Sequence, residues 1–456
     1  MTENWKWQLF YGVEAMEKEE AFFSVLPYEI DGVKGEAIEI ENGFFTGREP
    51  LKEPSERGVL FAEFELDEET VLPMGFGARY FYRVFLNGKL ILDRSEEGNK
   101  PYSPPRAGNF IVPGFCRKGK NLLAIVLVSA ADEVMYLDFK ILKDHPWQKT
   151  RPTIENYSAL LESAKYPGEG SSERESALRL IQNGVLMMRN TVFNPFVTDT
   201  AMDESKLAEL EEKYPILYFY EKALDRIIKE IQESTPGKDE ICMWLLYNMG
   251  YVIKSSAGTF GLDLNHRRAA LLAPFIDFVL TTHNHVDHCD IPLFKELTAQ
   301  GKKVITNFYP APGFHRPPAE LDLNGIKIIT QENDHNPTLR KFVTSYYITL
   351  PEGCTIFATG DSRDVTQLNP PGEVDIFIPH PRVGLKVPEA VEKFRPKSVL
   401  YSHMLELRHT PPTPWYAVPY TLLKDEMAQV SGTGCTALAP CWGEKLVWNT
   451  VTKSFV

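Results

Sequence analysis

Three of the chain's ten histidines fall within six residues, in the segment TTHNHVDHCD at positions 281–290. This segment directly follows the apolar run FIDFVL, which is typical of a buried strand. A strand end followed by a turn can direct alternate side chains toward one point, where imidazole nitrogens and carboxylate oxygens suit Zn²⁺ and also iron or manganese. The segment therefore predicts metal ligands at His283, His285, Asp287 and His288.

The spacing within this segment further predicts two cations. His283 and His285 are two residues apart and can bind one metal, whereas Asp287 and His288 lie just beyond and can face a second. The alternative interpretation is a charged loop that is rich in histidine by chance. We favour the metal site, because the spacing and the preceding strand agree with each other.

Length and charge limit the remaining possibilities. With 456 residues the chain exceeds one ordinary core, so two to three domains are expected. The formal net charge of −13 disfavours extended nucleic acid as a substrate, because an acidic surface repels phosphate backbones. The six cysteines are scattered, as expected for reduced thiols, with a Cys435–Cys441 disulfide as the alternative. With no membrane span and no signal peptide visible, we predict a cytoplasmic protein that acts on a small molecule.

Residues 1–146 are predicted to form a β-sandwich. Apolar alternation in VLFAEFEL (59–66), YFYRVFLNGKLIL (80–92) and NLLAIVLVSA (121–130) suits half-buried strands. Asn87-Gly88 is typical of a tight hairpin turn, and the Pro/Gly-rich segment 101–114 is expected to connect strands. Short strands joined by turns favour a sandwich.

The same region resembles the jelly-roll sugar-binding domains that accompany many glycoside hydrolases. The resemblance rests on RVFLNGKLI (83–91) and GKNLLAIVLV (119–128), and it covers part of the domain. It implies carbohydrate binding, with a purely structural or dimerising role as the alternative.

Residues 147–236 are predicted to be a helical connecting region. Helical spacing runs through 171–189 and 203–234, with Asp203 as the N-cap and Pro215 as a break between two helices. The apolar stripe of the second segment is typical of core packing. We expect this region to connect the two ends of the chain without contributing to chemistry.

Residues 237–456 alternate short apolar strands with helices, and the metal motif lies among them. This part resembles the metallo-β-lactamase superfamily. The motif followed by Cys289-Asp290 and IPLFKEL is similar to the lactonase and phosphodiesterase branch, which includes ascorbate-6-phosphate lactonase and N-acyl-phosphatidylethanolamine phospholipase D. The resemblance implies an α+β fold: an αββα sandwich with its site where the ends of two sheets meet.

The resemblance also implies the remaining ligands. His335 follows a strand at the place of the family's third histidine, and Asp361 closes TIFATGD, where a carboxylate can bridge two cations. His403 matches the last histidine, with His409 as its rival. The family's buried aspartate after the opening hairpin would be Asp263.

Two divalent metal ions are therefore expected, with zinc preferred and manganese or iron as alternatives. The resemblance implies that the first is bound by His283, His285 and His335, the second by Asp287, His288 and His403, with Asp361 between them. A metal-bridging hydroxide would then be the nucleophile, with Asp287 and Asp361 as the catalytic carboxylates. Asp290 is a candidate acceptor for a ligand imidazole.

The substrate pocket is less constrained by the resemblance. MLELRH (404–409) follows His403 and Asp-His-Asn-Pro surrounds His335, and phospholipase-like relatives have other residues at both places. Arg363 and Arg382 follow strands near the predicted site and could bind a phosphate or carboxylate, with solvated surface arginines as the alternative. His380 ends another strand where the family has no ligand, so we expect it to face the substrate or to be structural.

The sequence thus predicts a metal-dependent hydrolase that acts on an ester, lactone or phosphodiester bond of a small, carbohydrate-derived substrate. A flavodiiron-type oxidoreductase would normally carry a glutamate in place of His285 and a flavin domain, and neither is apparent. A non-catalytic carbohydrate-binding or scaffold protein would be expected to lose ligands. Here every expected position carries a residue that can bind a metal.

Overall fold

The structure is a computed structural model of the chain. It describes residues 5–14, 23–40, 44–50, 56–78, 81–94, 107, 110–128, 134–142, 152–163, 172–188, 204–381, 385–407 and 420–456. The described residues divide into two compact units, one formed largely by residues before 152 and one formed largely by later residues. The three-part division expected from the sequence stays a prediction.

The first unit consists of antiparallel strands. They are β1 (Lys6–Glu14), β2 (Glu29–Ile30), β3 (Val33–Lys34), β4 (Glu36–Ile38), β5 (Phe44–Pro50), β6 (Glu56–Leu66), β7 (Thr70–Ala78), β8 (Phe81–Leu86), β9 (Lys89–Asp93), β10 (Phe110–Cys116), β11 (Gly119–Val128) and β12 (Val134–Ile141). One sheet has the order β4-β1-β6-β11-β8-β9 and another has the order β10-β7-β12-β5. Trp7 and Leu60 of the former share an apolar core with Phe76 and Phe139 of the latter. A β-sandwich is therefore present, while the jelly-roll arrangement and sugar binding stay predictions.

Two local expectations in this unit have different outcomes. The predicted β8–β9 hairpin is confirmed, and Asn87 and Gly88 have the positive φ angles, 51° and 78°, that a type I′ turn needs. The expectation that 101–114 only connects strands is wrong for its last residues, which begin β10. Because β10 is an edge strand, Pro113 can lack an N–H without interrupting a ladder on both sides.

Helices and strands alternate in the second part of the chain. The helices are α1 (Ile154–Glu162), α2 (Ser172–Met188), α3 (Glu204–Lys213), α4 (Pro215–Glu233), α5 (Ile291–Ala299), α6 (Val387–Phe394) and α7 (Tyr420–Ser431), with 3₁₀ helices at Ala269–Phe275 and Val365–Gln367. The predicted break at Pro215 is confirmed, because α3 ends at Lys213 and Pro215 begins α4. The expected N-cap Asp203 lies outside the described residues.

The strands of the second unit form two mixed sheets. They are β13 (Glu240–Tyr247), β14 (Gly250–Ser255), β15 (Gly258–Leu262), β16 (Phe278–Leu280), β17 (Lys303–Ile305), β18 (Ala319–Leu323), β19 (Ile326–Asn333), β20 (Val343–Thr349), β21 (Thr355–Ala358), β22 (Ile376–Ile378), β23 (Ser398–Leu400), β24 (Thr436–Leu438), β25 (Lys445–Asn449) and β26 (Ser454–Phe455). One sheet has the order β17-β16-β15-β14-β13-β25-β26. The other has the order β18-β19-β20-β21-β22-β23-β24.

Helices pack against both sheets of this unit. On the first sheet, Trp244 Nε1 of β13 donates to Glu230 Oε2 of α4 at 2.7 Å. On the second, the ring of Phe394 in α6 packs edge-on against aromatic rings of β21 and β22. The sheets meet where the Tyr346 hydroxyl of β20 donates to the Thr281 carbonyl oxygen at 2.8 Å. The α+β class is thus confirmed.

Two further features concern cysteines and helices. All six cysteines are buried and none forms a disulfide, so Cys435 and Cys441 do not form the alternative pair. No helix among the described residues has the length and apolar composition needed to cross a membrane.

A buried ion pair in the second unit provides a test of this packing. Arg174 of α2 donates to Glu444 Oε2 at 2.8 Å, and the same oxygen accepts the Cys441 N–H at 2.8 Å. Glu444→Ala would leave a buried guanidinium without its counter-charge, so we expect the free energy of unfolding to fall by about 3–5 kcal/mol. Urea unfolding measures this change.

The control removes both charges together. In the double variant Arg174→Met/Glu444→Leu neither charge of this pair remains, and most of the lost stability should return. A double variant that is no more stable than Glu444→Ala would contradict this explanation.

Candidate metal centre

The predicted ligands follow strand ends in the second unit. The metal motif begins directly after β16, His335 follows β19, Asp361 follows β21 and His403 follows β23. Because β21, β22 and β23 are parallel, their carboxyl ends open at the same edge of the sheet. Residues that are far apart in the chain therefore reach one place.

Four of these residues form a first group: His283, His285, His335 and Asp361. Each offers a ligand atom within 4.8 Å of the others. His335 Nε2 lies 3.2 Å from Asp361 Oδ2, and His283 Nε2 lies 3.7 Å from the same oxygen. His285 is partly exposed, whereas the other three are buried. His285 therefore forms the partly exposed side of this group.

A second group consists of Asp287, His288 and His403, again with ligand atoms within 4.8 Å. His403 Nε2 lies 3.0 Å from both Asp287 Oδ2 and His288 Nε2. Asp361 Oδ1 lies 2.9 Å from His288 Nε2 and 3.5 Å from His403 Nε2. Asp361 therefore faces this group with one oxygen and the first group with the other.

Glycine at position 360 allows Asp361 to approach the motif. Gly360 has φ +50°, and a Cβ added there would lie 2.7 Å from both Cβ and Oγ1 of Thr282. Any other residue would combine backbone strain with this steric clash. The turn after β21 can thus lie directly against the residue that precedes His283.

The remaining predicted site residues have separate outcomes. His409 and Arg382 lie outside the described residues. Arg363 is exposed two residues after Asp361, whereas His380 is buried within 3.6 Å of Asp361 Oδ1. Asp290 Oδ1 accepts the Leu293 N–H at 2.7 Å as the N-cap of α5. Asp263 is a carboxylate that holds a motif imidazole, that of His288.

Asp263 fixes the first residues of the motif. Its Oδ1 accepts the Thr282 N–H at 2.7 Å, and its Oδ2 accepts the Thr282 hydroxyl at 2.8 Å and His288 Nδ1–H at 3.0 Å. Asp263 is buried and has φ 46°, in the left-handed region that non-glycine residues rarely adopt. Such strain is typical of functional sites.

These hydrogen bonds determine where the imidazole protons lie. Since the only hydroxyl proton of Thr282 goes to Asp263, its oxygen must accept Nδ1–H of His283, which lies 3.0 Å away. His288 likewise gives its Nδ1 proton to Asp263. In its neutral form, each ring therefore directs an Nε2 lone pair into the cluster, as a metal ligand requires.

The electrostatics of the cluster suit a cation. Burial lowers the pKa of His283 well below its usual value. Burial alone would also lower the pKa of His288, but Asp361, Asp287 and Asp263 raise it well above its usual value. Burial would raise the pKa of Asp361, but the imidazoles of His380, His288 and other histidines lower it well below its usual range. Without a cation, a charged Asp361 thus lies beside a protonated His288.

A metal ion fits this donor set. The buried His283 Nε2 makes no hydrogen bond, and Nε2 atoms of His288 and His403 face each other at 3.0 Å beside carboxylate oxygens. Convergent lone pairs and carboxylates repel one another unless a proton or a cation lies among them. Divalent cations would supply that charge and release the protons.

His335 differs from the other imidazoles in its hydrogen bonding. Its Nδ1 faces Nδ2 of Asn336 at 3.0 Å. The Asn336 amide cannot be reversed, because its Oδ1 already accepts N–H groups of Thr338 and Leu339 at 2.9 and 2.8 Å. The amide therefore donates to Nδ1, which leaves the His335 proton on Nε2, the atom expected to bind metal.

Asn265 holds the backbone of residues 283–289, which we call the metal loop. Sequence analysis did not identify this asparagine. Its Nδ2 donates to the carbonyl oxygens of Val286 and Cys289, both at 2.8 Å. These carbonyls flank Asp287 and His288 in the chain. An asparagine two residues after Asp263 carries no distinctive sequence pattern, so only the fold reveals this contact.

Helix α4 in turn holds the segment that carries Asn265. His266 stacks on Tyr220 with ring centroids 3.9 Å apart. Arg267 pairs with the buried carboxylate of Glu221, and the guanidinium Nη2 of Arg268 donates to the Glu221 carbonyl oxygen at 2.9 Å. The predicted connecting region therefore also supports the metal loop.

Comparison with known proteins leaves the family open. No family model matches the chain, and no curated protein matches it in sequence. Similar solved structures are the metallo hydrolase Igni18 from the archaeon Ignicoccus hospitalis KIN4/I (14% identity, 46% of this chain, 99% of that chain, TM-score 0.35), a possible metal-dependent hydrolase from Veillonella parvula DSM 2008 (15%, 45%, 98%, 0.33) and the diiron β-hydroxylase CmlA from Streptomyces venezuelae (14%, 57%, 63%, 0.36). Because these identities and TM-scores are low, the similarities identify neither a family nor an activity.

The Asn336 contact leads to a variant with improved metal binding. Asn336→Asp replaces the amide donor by an oxygen that accepts Nδ1–H, which leaves a lone pair on His335 Nε2. We expect the affinity for the cation that His335 would bind to rise by about 10-fold or more, which is the scale on which outer hydrogen-bond partners act. Competition with a fluorescent chelator measures it. Unchanged or weaker affinity would contradict this role.

The Asn265 contact leads to a variant with weaker metal binding. Asn265→Ala leaves two carbonyls of the metal loop without their donor, so Asp287 and His288 lose their fixed positions. We expect the affinity for the cation that Asp287 and His288 would bind to fall by about 10–100-fold, while the fold is retained. Chelator competition, with circular dichroism as the folding control, tests this. A variant that is folded by circular dichroism and binds both cations with unchanged affinity would contradict this role of Asn265.

Proposed function

We propose that this chain is a hydrolase that uses two divalent metal ions. The first cation would be held by His283, His285 and His335, the second by Asp287, His288 and His403, and Asp361 would lie between them. The mixture of imidazole and carboxylate donors favours zinc, and manganese or iron would also accept it.

The position of Asp361 carries this proposal. Its Oδ2 faces His335 and its Oδ1 faces His288, at 3.2 and 2.9 Å. Asp361 is also buried, at 4% exposure, so its charge needs compensation by nearby groups. One carboxylate that serves two separate sets of imidazoles supports a pair of adjacent cations better than a single one.

Hydrolysis follows from the chemistry that such a pair supplies. When bound, adjacent cations lower the pKa of a shared water and stabilise negative charge that develops on a carbonyl or phosphoryl group. The chain contributes the fixed positions of the ligands: Asp263 orients His288, and Thr282 orients His283. Asp287 Oδ2 lies within 3.4 Å of His288 Nε2, where it can also orient a water between the groups.

We propose an ester, lactone or phosphodiester of small size as the substrate, with carbohydrate derivatives as the first candidates. The exposed Arg363 offers a planar cation close to Asp361 in sequence, suited to a phosphate or carboxylate group. The β-sandwich of the first unit and its likeness in sequence to sugar-binding domains support the choice of carbohydrates. The proposal of hydrolytic activity, as distinct from the choice of substrate, is supported by the metal cluster alone.

A metal-replete preparation of the full chain tests the proposal. Elemental analysis should find two divalent metal ions per chain. A screen of lactones, phosphodiesters and sugar esters should find an activity that a chelator abolishes and added metal restores. Asp361→Asn removes the charge between the cations, so we expect kcat to fall by about 100-fold or more.

The control is another buried histidine of the same unit. His315 lies outside the cluster, so His315→Gln should keep both the metal and the activity. A metal-replete wild-type chain without bound metal would overturn the proposal. Two bound metals without hydrolysis across the whole screen would favour the scaffold alternative.

A further inference from the structure

His380 is a buried histidine of the cluster to which the proposed function assigns no role. It lies two residues after the end of β22 and is 3% exposed. Its ring stacks on His403, with centroids 3.5 Å apart and an interplanar angle of 24°. It is therefore built into the same wall of the cluster as a proposed ligand of the second cation.

The hydrogen bond at the other ring nitrogen fixes the orientation of His380. Nδ1 lies 2.7 Å from the Pro381 carbonyl oxygen, which can only accept. The Nδ1 atom is therefore the donor, and a neutral ring has its lone pair on Nε2. This is the arrangement found at His283 and His288, and it is the one that a metal-binding imidazole needs.

The Nε2 atom of His380 points toward the second group. It lies 3.6 Å from Asp361 Oδ1, which is too long for a hydrogen bond. Ligand atoms of Asp361, His380 and His403 all lie within 4.8 Å of one another. A histidine with only a structural role would usually use both ring nitrogens in hydrogen bonds to the protein.

We propose that His380 Nε2 is a further ligand of the second cation, beside Asp287, His288 and His403. This inference rests on the proposed two-metal site and deepens it. It makes the two cation positions unequal, because the second has three imidazoles and two carboxylates around it. The first has His335 with an unfavourable proton position and the partly exposed His285.

A functional asymmetry follows from this inequality. Metal sites closed by protein ligands are structural, whereas catalytic sites keep a position open for water or substrate. The second cation would thus be the tightly bound one, and the first cation would offer the open position. A substrate oxygen would then be polarised beside His283 and His285 rather than beside His380.

The most selective variant is His380→Asn. The asparagine amide can keep the donor to the Pro381 carbonyl in place of Nδ1, while it removes Nε2. Apo protein is titrated with Co²⁺ against a fluorescent chelator, which yields both dissociation constants. We expect the tighter one to weaken by more than about 100-fold, beyond the range for loss of an outer hydrogen-bond partner, and the weaker one to stay unchanged.

Proton NMR of the Co²⁺ protein gives a second readout. Each cobalt-bound imidazole with an Nδ1–H contributes one strongly shifted, exchangeable resonance. His380→Asn and His380→Gln should each lack one such resonance, whereas His315→Gln should lack none. If the asparagine variant does not fold, the glutamine variant and the apo-protein circular dichroism keep the test decisive.

The outcomes separate this inference from the proposed function. A wild-type chain that binds no cation overturns the two-metal site itself. Two bound cations with wild-type affinities and an unchanged set of shifted resonances in His380→Asn overturn only the role of His380. A loss of affinity within about 10–100-fold with every shifted resonance retained makes His380 an outer partner, and this too overturns the inference.

Discussion

The site depends on one buried carboxylate, Asp263, which accepts hydrogen bonds from the backbone and hydroxyl of Thr282 and from His288. These bonds hold the turn after β16, and they place the Nδ1 protons of His283 and His288 on the outside of the cluster. The lone pairs then converge inside it, where a cation is needed to relieve their repulsion. The left-handed backbone at Asp263 is tolerated because three hydrogen bonds secure it.

Much of this arrangement can be predicted from the sequence. The motif at 283–288 combines rare residue types with ligand spacing, and it follows an apolar strand, so its place at a strand end is confirmed. The short runs from β13 to β23 are apolar because their sheets are covered by helices. Within this range β18 is the exception, because AELDL alternates apolar with acidic residues and is only partly buried.

The parts that sequence reasoning misses are those in which common residues act through their neighbours. Asn265 and Asn336 are ordinary loop residues until the fold shows what their amides contact. His380 follows a strand without any ligand spacing, so the sequence predicts a substrate-facing or structural residue, and the fold is needed to bring it against His403 and Asp361. The role of α4 is hidden for the same reason, since its apolar stripe predicts packing and not the contact of Tyr220 with His266.

Anomalous diffraction from crystals of the metal-loaded chain tests the two-metal centre most directly. Data collected on both sides of the zinc edge should give two peaks on opposite sides of Asp361. One peak should lie among His283, His285 and Asp361, and the other among Asp287, His288 and His403. Metal-replete crystals without a peak in this cluster, or with a single peak that leaves one group of ligands unused, would contradict the binuclear centre.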